Sequence, residues 1–115
     1  MSIESLRAQH CRPLKGKAAG LSSDAVAGYL KDLPGWSKAS DGGSIAKEFR
    51  FKDYFQTMAF VNAVASIAHR EDHHPDLEVG YSRCLVRYST HDVGGLSLND
   101  VICAAKVEDM LVAQS

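Results

Sequence analysis

The stretch Asp53–Pro75, DYFQTMAFVNAVASIAHREDHHP, decides how this chain folds and where its chemistry can sit. Asp53 followed three residues later by Gln56 is a capping-box start for a helix. Phe60, Val64 and Ile67 then fall along one line of that helix and Val61, Ala65 and Ala68 along the next, a wide apolar stripe suited to the centre of a core. Pro75 biases His74 out of helical φ/ψ, so the helix has to end before it. His69, His73 and His74 are interleaved there with Glu71, Asp72 and Asp76. A helix-to-strand junction on a well-anchored element is a favoured place for chemistry.

On the N-terminal side, Ile45, Lys47, Phe49 and Phe51 alternate with Ala46, Glu48 and Arg50. With the short run Trp36–Ala39 and the turn Ser40-Asp41-Gly42-Gly43, they predict a hairpin. Lys47 breaks its apolar face near the turn, where a long stem can reach water. Before it, Ser22 caps a helix whose Val26, Tyr29, Leu30 and Leu33 repeat at helical spacing until Pro34-Gly35. Residues 1–20, with Pro13, Gly16, Gly20 and no sustained period, read as a poorly ordered or loosely docked leader to a single domain over 21–115.

On the C-terminal side, Leu77 and Val79 mark a short strand. Cys84, Val86 and Tyr88 form one face of a longer strand and Leu85, Arg87 and Ser89 the other. Ser97 and Asp100 open a last helix in the capping pattern [ST]-x-x-[DE], with Leu98, Val101, Ile102 and Ala105 on its buried face and Asp109 interrupting the stripe. The connections within each strand pair are too short for parallel crossovers. The expected fold is therefore α+β, order α-β-β-α-β-β-α: a four-stranded antiparallel sheet with three helices on one face. Ala46, Glu48, Arg50, Leu85 and Arg87 leave its other face to water or another subunit.

At 115 residues and 45% hydrophobic, the chain has the size of one ordinary domain. A net charge of -1, with Lys and Arg dispersed, gives no electrostatic ground for nucleic-acid binding. No window approaches the roughly 18 apolar residues of a membrane span, and no signal-peptide core is visible, so a cytoplasmic protein is expected. Cys11, Cys84 and Cys103 are odd in number and without CxxC spacing, which predicts free thiols and no structural zinc. His10-Cys11 is too little for a metal site, and an exposed tail is expected there.

Three readings fit His73, His74 and, at the end of the second hairpin, His91: a polar junction, a metal site without HExxH spacing, or acid/base catalysis without metal. Glu71, Asp72 and Asp92 are acceptors able to orient an imidazole. In extended backbone His73 and His74 point to opposite sides unless the chain bends before Pro75.

Asp72-His73-His74-Pro75, Tyr81, Ser89-Thr90-His91 and Gly95-Leu96-Ser97-x-x-Asp100 together resemble the pterin-4a-carbinolamine dehydratases. The likeness extends through Leu33-Pro34-Gly35-Trp36 and Phe49-x-Phe51-x-Asp53-Tyr54 and covers roughly Leu21–Met110. Cys11 with Leu21-Ser22 is similar to the leader of bacterial members. The resemblance implies dehydration of a 4a-hydroxytetrahydropterin to the quinonoid dihydropterin, recycling it after an aromatic amino acid hydroxylase. The pterin is then the substrate, with no cofactor and no metal.

The same resemblance gives His73 as acid toward the hydroxyl, with His74 and His91 binding and shuttling protons. Pro75 and the Thr90-His91-Asp92 edge line the pterin, Asp72 orients, and Asp100 is either near the site or simply the helix-capping acid. Leu77, where many members have Trp, and His69, where animal members often have Glu, depart from the pattern. A homodimer or homotetramer is implied. The alternative reading is a non-catalytic module, either a dimerisation cofactor for a homeodomain transcription factor or a hydroxylase regulator.

Overall fold

A computed structural model describes residues 3–114, with side chains through Leu111. Its elements are α1 (Ile3–Arg7), α2 (Ser23–Leu30), β1 (Ser37–Lys38), β2 (Ile45–Arg50), α3 (Tyr54–Glu71), β3 (Asp76–Val79), β4 (Arg83–Tyr88) and α4 (Leu98–Gln114), with 3-10 turns at Lys17–Ala19 and His91–Val93. The four strands form one antiparallel sheet in the order β1-β2-β4-β3. The α+β expectation holds, with one helix more than the sequence suggested.

The two long strands are central because each has a largely apolar face, broken in β2 only by Lys47. Ile45 and Phe49 of β2 and Cys84, Val86 and Tyr88 of β4 are buried against Phe60, Val64 and Ile67 of α3 and Val101, Ile102 and Ala105 of α4. The opposite face carries Glu48 bridging Arg50 and Arg83, and Glu78 paired with Arg87, an ion-pair surface on which only Leu85 and Ala46 are apolar. Asp53 caps α3 by accepting from the Gln56 N–H at 2.8 Å. The Gln56 side chain reaches back to the N–H of Lys52 rather than Asp53, at 3.1 Å.

Two expectations need correction. Lys47 does not lead its ammonium to water: Nζ donates to Glu108 Oε1 at 2.6 Å and to the Pro34 carbonyl at 2.9 Å, while the Trp36 indole N–H donates to the same Glu108 oxygen at 2.8 Å. A cation on the apolar face is tolerated because α4 supplies its counter-charge.

The leader 1–20, expected to be poorly ordered or loosely docked, is anchored from residue 3 onward by a buried side chain and a series of specific bonds. Leu6 of α1 is completely buried in the core cluster. Arg7 pairs with Asp109 at 3.0 Å, which accounts for the acidic break in the α4 stripe, and Lys106 Nζ donates to the Arg7 carbonyl at 2.8 Å. Further on, the Asn99 side chain clamps Arg12 at both backbone groups, accepting its N–H at 3.2 Å and donating to its carbonyl at 2.7 Å. Gly16 N–H then bonds the Asp92 carbonyl at 2.9 Å, and Leu21 N–H the Leu96 carbonyl at 2.8 Å.

Glu71, the last residue of α3, is the charged anchor of this docking. Its side chain is only 5% exposed; it accepts the Cys11 N–H at 2.7 Å and meets His10 Nδ1 at 3.0 Å, with Lys106 Nζ at 3.7 Å. Burial pushes the carboxyl up, but the Cys11 N–H, His10 and Lys106 outweigh it and hold it below its ordinary 4.5. A carboxylate depressed in the folded state stabilises above its unfolded value and loses that contribution as pH falls through the folded one. The stability gap between wild type and Glu71→Gln should therefore be full at neutral pH and close below about pH 4.5, as read by urea unfolding across pH. Leu6→Ala should cost about 2–4 kcal/mol in the same assay. A cost near zero would mean that α1 does not belong to the folded core.

Candidate functional site

The junction after α3 is made by one residue in an uncommon conformation. Asp72 adopts left-handed φ 50°, ψ 44°, and its N–H and that of His73 both return to the Ala68 carbonyl. Asp is among the few residues that visit this region readily. The helix therefore stops within one residue, and the chain leaves toward β3 with His73 turned into the protein and His74 away from it.

His73 is held on two sides. Its ring stacks on Tyr88 of β4, centroids 5.8 Å apart and planes 9° from parallel. Nε2 lies 2.6 Å from Asp100 Oδ1. Asp100, in the first turn of α4, has no solvent exposure, and its second oxygen accepts from Thr90 Oγ1 at 2.8 Å and from the Ser97 N–H at 2.9 Å. Thr90 Oγ1 and Ser97 Oγ are 2.7 Å apart, and Ser97 Oγ accepts the Asn99 N–H at 3.2 Å.

Hydrogen directions follow from these contacts. A carboxylate only accepts, so the single Thr90 hydroxyl hydrogen goes to Asp100 and Ser97 must donate to Thr90. By the same logic His73 Nε2 carries a hydrogen toward Asp100. The Tyr88 hydroxyl is buried with no partner among the described residues, and burial, followed by the nearby Cys103, Cys11 and Asp100, pushes this phenol up.

A cavity of about 370 Å³ opens at His73, lined also by Thr90 and Asp92, by Glu71 and Asp72, and by the Cys11–Leu14 segment. The loop Thr90–Gly95 that shapes it is closed by the Thr90 N–H to the Gly95 carbonyl at 2.8 Å, with Gly94 at φ 76°. Of the residues singled out in the sequence, His73, Thr90, Asp92 and Asp72 line this one cavity. Asp100 stands behind His73 instead of in the cavity, where it caps α4 and touches the His73 ring.

His74 and Pro75 lie elsewhere, around a separate cavity of about 190 Å³ with His69, Leu77 and the α3 residues Val64, Ala65 and Ala68. The two adjacent histidines diverge, as extended backbone dictates. His91 is exposed on its 3-10 turn, between the two cavity residues Thr90 and Asp92 but not itself among the lining. Cys11, Arg12, Glu71 and Asn99 are site-forming residues that periodicity could not identify, since the bonds joining them span 60 to 88 residues of sequence. Among the described residues no three His, Cys, Asp or Glu side chains gather in a way that could hold a metal ion.

Residues 19–110 match the family described as pterin 4 alpha carbinolamine dehydratase. A relative in Xanthomonas campestris pv. campestris (strain 8004), provisionally named pterin-4-alpha-carbinolamine dehydratase, is 58% identical over 105 residues, covering 91% of this chain and 89% of the relative. One of the same provisional name in Nitrosospira multiformis is 51% identical over 109 residues, covering 95% of each. A crystal structure from Brucella melitensis, described as a transcriptional coactivator/pterin dehydratase, superposes with TM-score 0.76 at 30% identity, covering 79% of this chain and 97% of the other. A match spanning α2 to α4, with more than half of the residues shared with these relatives, makes this chain a member of the pterin-4a-carbinolamine dehydratase family.

Proposed function

We propose that the chain dehydrates a 4a-hydroxytetrahydropterin to the quinonoid dihydropterin, with His73 as the acid, in the recycling of tetrahydropterin after an aromatic amino acid hydroxylase. The observation that carries this reading is the His73–Asp100 pair at 2.6 Å opening onto a cavity of about 370 Å³. Family membership and the names of the relatives support the substrate class.

In the proposed step, doubly protonated His73 gives its Nδ1 proton to the 4a-hydroxyl oxygen. The C4a–O bond breaks, water leaves, and the lone pair of the neighbouring ring nitrogen forms the new C=N bond. The cationic ring then loses its nitrogen-bound proton, which His91, exposed between two cavity-lining residues, relays to water. Asp100 stays a carboxylate throughout and offsets the imidazolium charge, so it is a positioning residue. His74, on the other cavity, has no part in the two proton transfers. Asp72 and Asp92 supply the polar wall against the pterin ring.

The test is the decay of freshly generated 4a-hydroxytetrahydropterin with and without protein. His73→Ala should lower the catalysed rate about 10²- to 10⁴-fold, and His74→Ala by less. Equal rates for His73→Ala and wild type would sink the assignment. Asp100→Asn should lower kcat about 10- to 100-fold, the equivalent of one charge-assisted hydrogen bond to the imidazolium. KM should stay nearly unchanged, with the far-UV circular dichroism of the variant matching that of wild type, so that loss of folded protein does not account for the fall in kcat. No acceleration by wild type would favour the binding or regulatory reading, which the coactivator description of the Brucella melitensis relative supports.

A further inference from the structure

The proposed dehydration leaves one reactive pair unused. Cys11 of the N-terminal segment and Cys103 of α4, 92 residues apart in sequence, bring their Sγ atoms to 3.4 Å. Cys11 is fixed from both directions: its N–H donates to Glu71, Arg12 is clamped by Asn99, and its thiol reaches the Asn99 carbonyl at 3.6 Å. Cys103 is fully buried, whereas Cys11 is partly exposed on the wall of the His73 cavity. The third thiol, Cys84, is buried on the β4 face with only the Leu85 carbonyl near its sulfur, at 3.9 Å.

We propose that Cys11 and Cys103 form a peroxide-sensitive modification site whose disulfide clips the N-terminal segment onto α4 at the edge of the His73 cavity. The Cys11 thiolate attacks one oxygen of hydrogen peroxide, the O–O bond breaks, and hydroxide leaves, giving the sulfenic acid. The Cys103 sulfur then attacks the Cys11 sulfur and expels that oxygen, which departs as water with the Cys103 proton. Two thiols and one peroxide become one disulfide and two waters, each sulfur giving up one electron.

The roles follow from access. Peroxide reaches Cys11 through the cavity, while Cys103, its thiol pushed up by the hydrogen bond with Cys11 and by burial, is the protonated resolving partner. The sulfurs have to close from 3.4 Å to about 2.05 Å, a side-chain rotation at Cys11. The bond crosslinks a loop of most of the chain, so the oxidised form should unfold at a temperature several degrees higher.

The experiment treats the folded full-length protein with one equivalent of hydrogen peroxide, followed by thiol titration and non-reducing peptide mapping by mass spectrometry. The expected result is the loss of two of the three thiols, a mass lower by two hydrogens, and one linked peptide pair joining Cys11 to Cys103, all reversed by dithiothreitol. Cys11→Ser should abolish the link and Cys84→Ala should leave it intact. The proposal is overturned if Cys11 is driven to sulfinic or sulfonic acid while Cys103 stays reduced. It is equally overturned if Cys11 links two separate chains, or if no thiol is consumed.

Discussion

A carboxylate with no access to water sits at the start of α4, and the rest of the structure is arranged to make that tolerable. A bare buried charge costs several kcal/mol even after relaxation, so it survives only with its lone pairs occupied. Asp100 has three donors from three places: the His73 ring beyond the end of α3, the Thr90 hydroxyl beyond β4, and the Ser97 N–H at its own helix start, where the dipole also favours negative charge. One side chain therefore ties the core helix, the longer hairpin and the last helix together. The same satisfaction that permits its burial fixes the tautomer of the imidazole facing the cavity.

The divergence of His73 and His74 follows from how α3 ends. A left-handed Asp72 stops the helix in one step, and Pro75 prevents helix from resuming, so the intervening histidines must enter extended backbone. Only one of two adjacent side chains can then face inward. His73 takes that position because Tyr88 provides a flat apolar surface for the ring and Asp100 a charge for its edge.

Features set by local pattern were legible in the sequence. Both hairpins, the Asp53 and Ser97 helix starts, the wide stripe of α3 and the opposite orientation of His73 and His74 all come from periods of 2 and 3.6 or from capping chemistry. Asp100 was legible only by half: the capping pattern locates it, but the pattern is silent on the histidine 27 residues earlier in the chain that shares its carboxylate. The docked leader was not legible. α1 has five residues, too few to display an amphipathic period, and its attachments run through single side chains such as Glu71, Asn99 and Lys106 to distant backbone groups. Lys47 was misread for the same reason, since its partner Glu108 lies 61 residues away.

The docked leader changes the character of the site. The Cys11–Leu14 segment, held by Asn99 and Glu71, joins His73, Thr90 and the acids around them in lining one cavity. Charge interactions beside buried groups are screened less than at a free surface, which strengthens the contact of the fully buried Asp100 with the His73 ring. Glu71 and Asp100 thus divide the work between two carboxylates of low exposure. One fastens the N-terminal segment to the end of α3, and the other holds the His73 ring at the edge of the cavity.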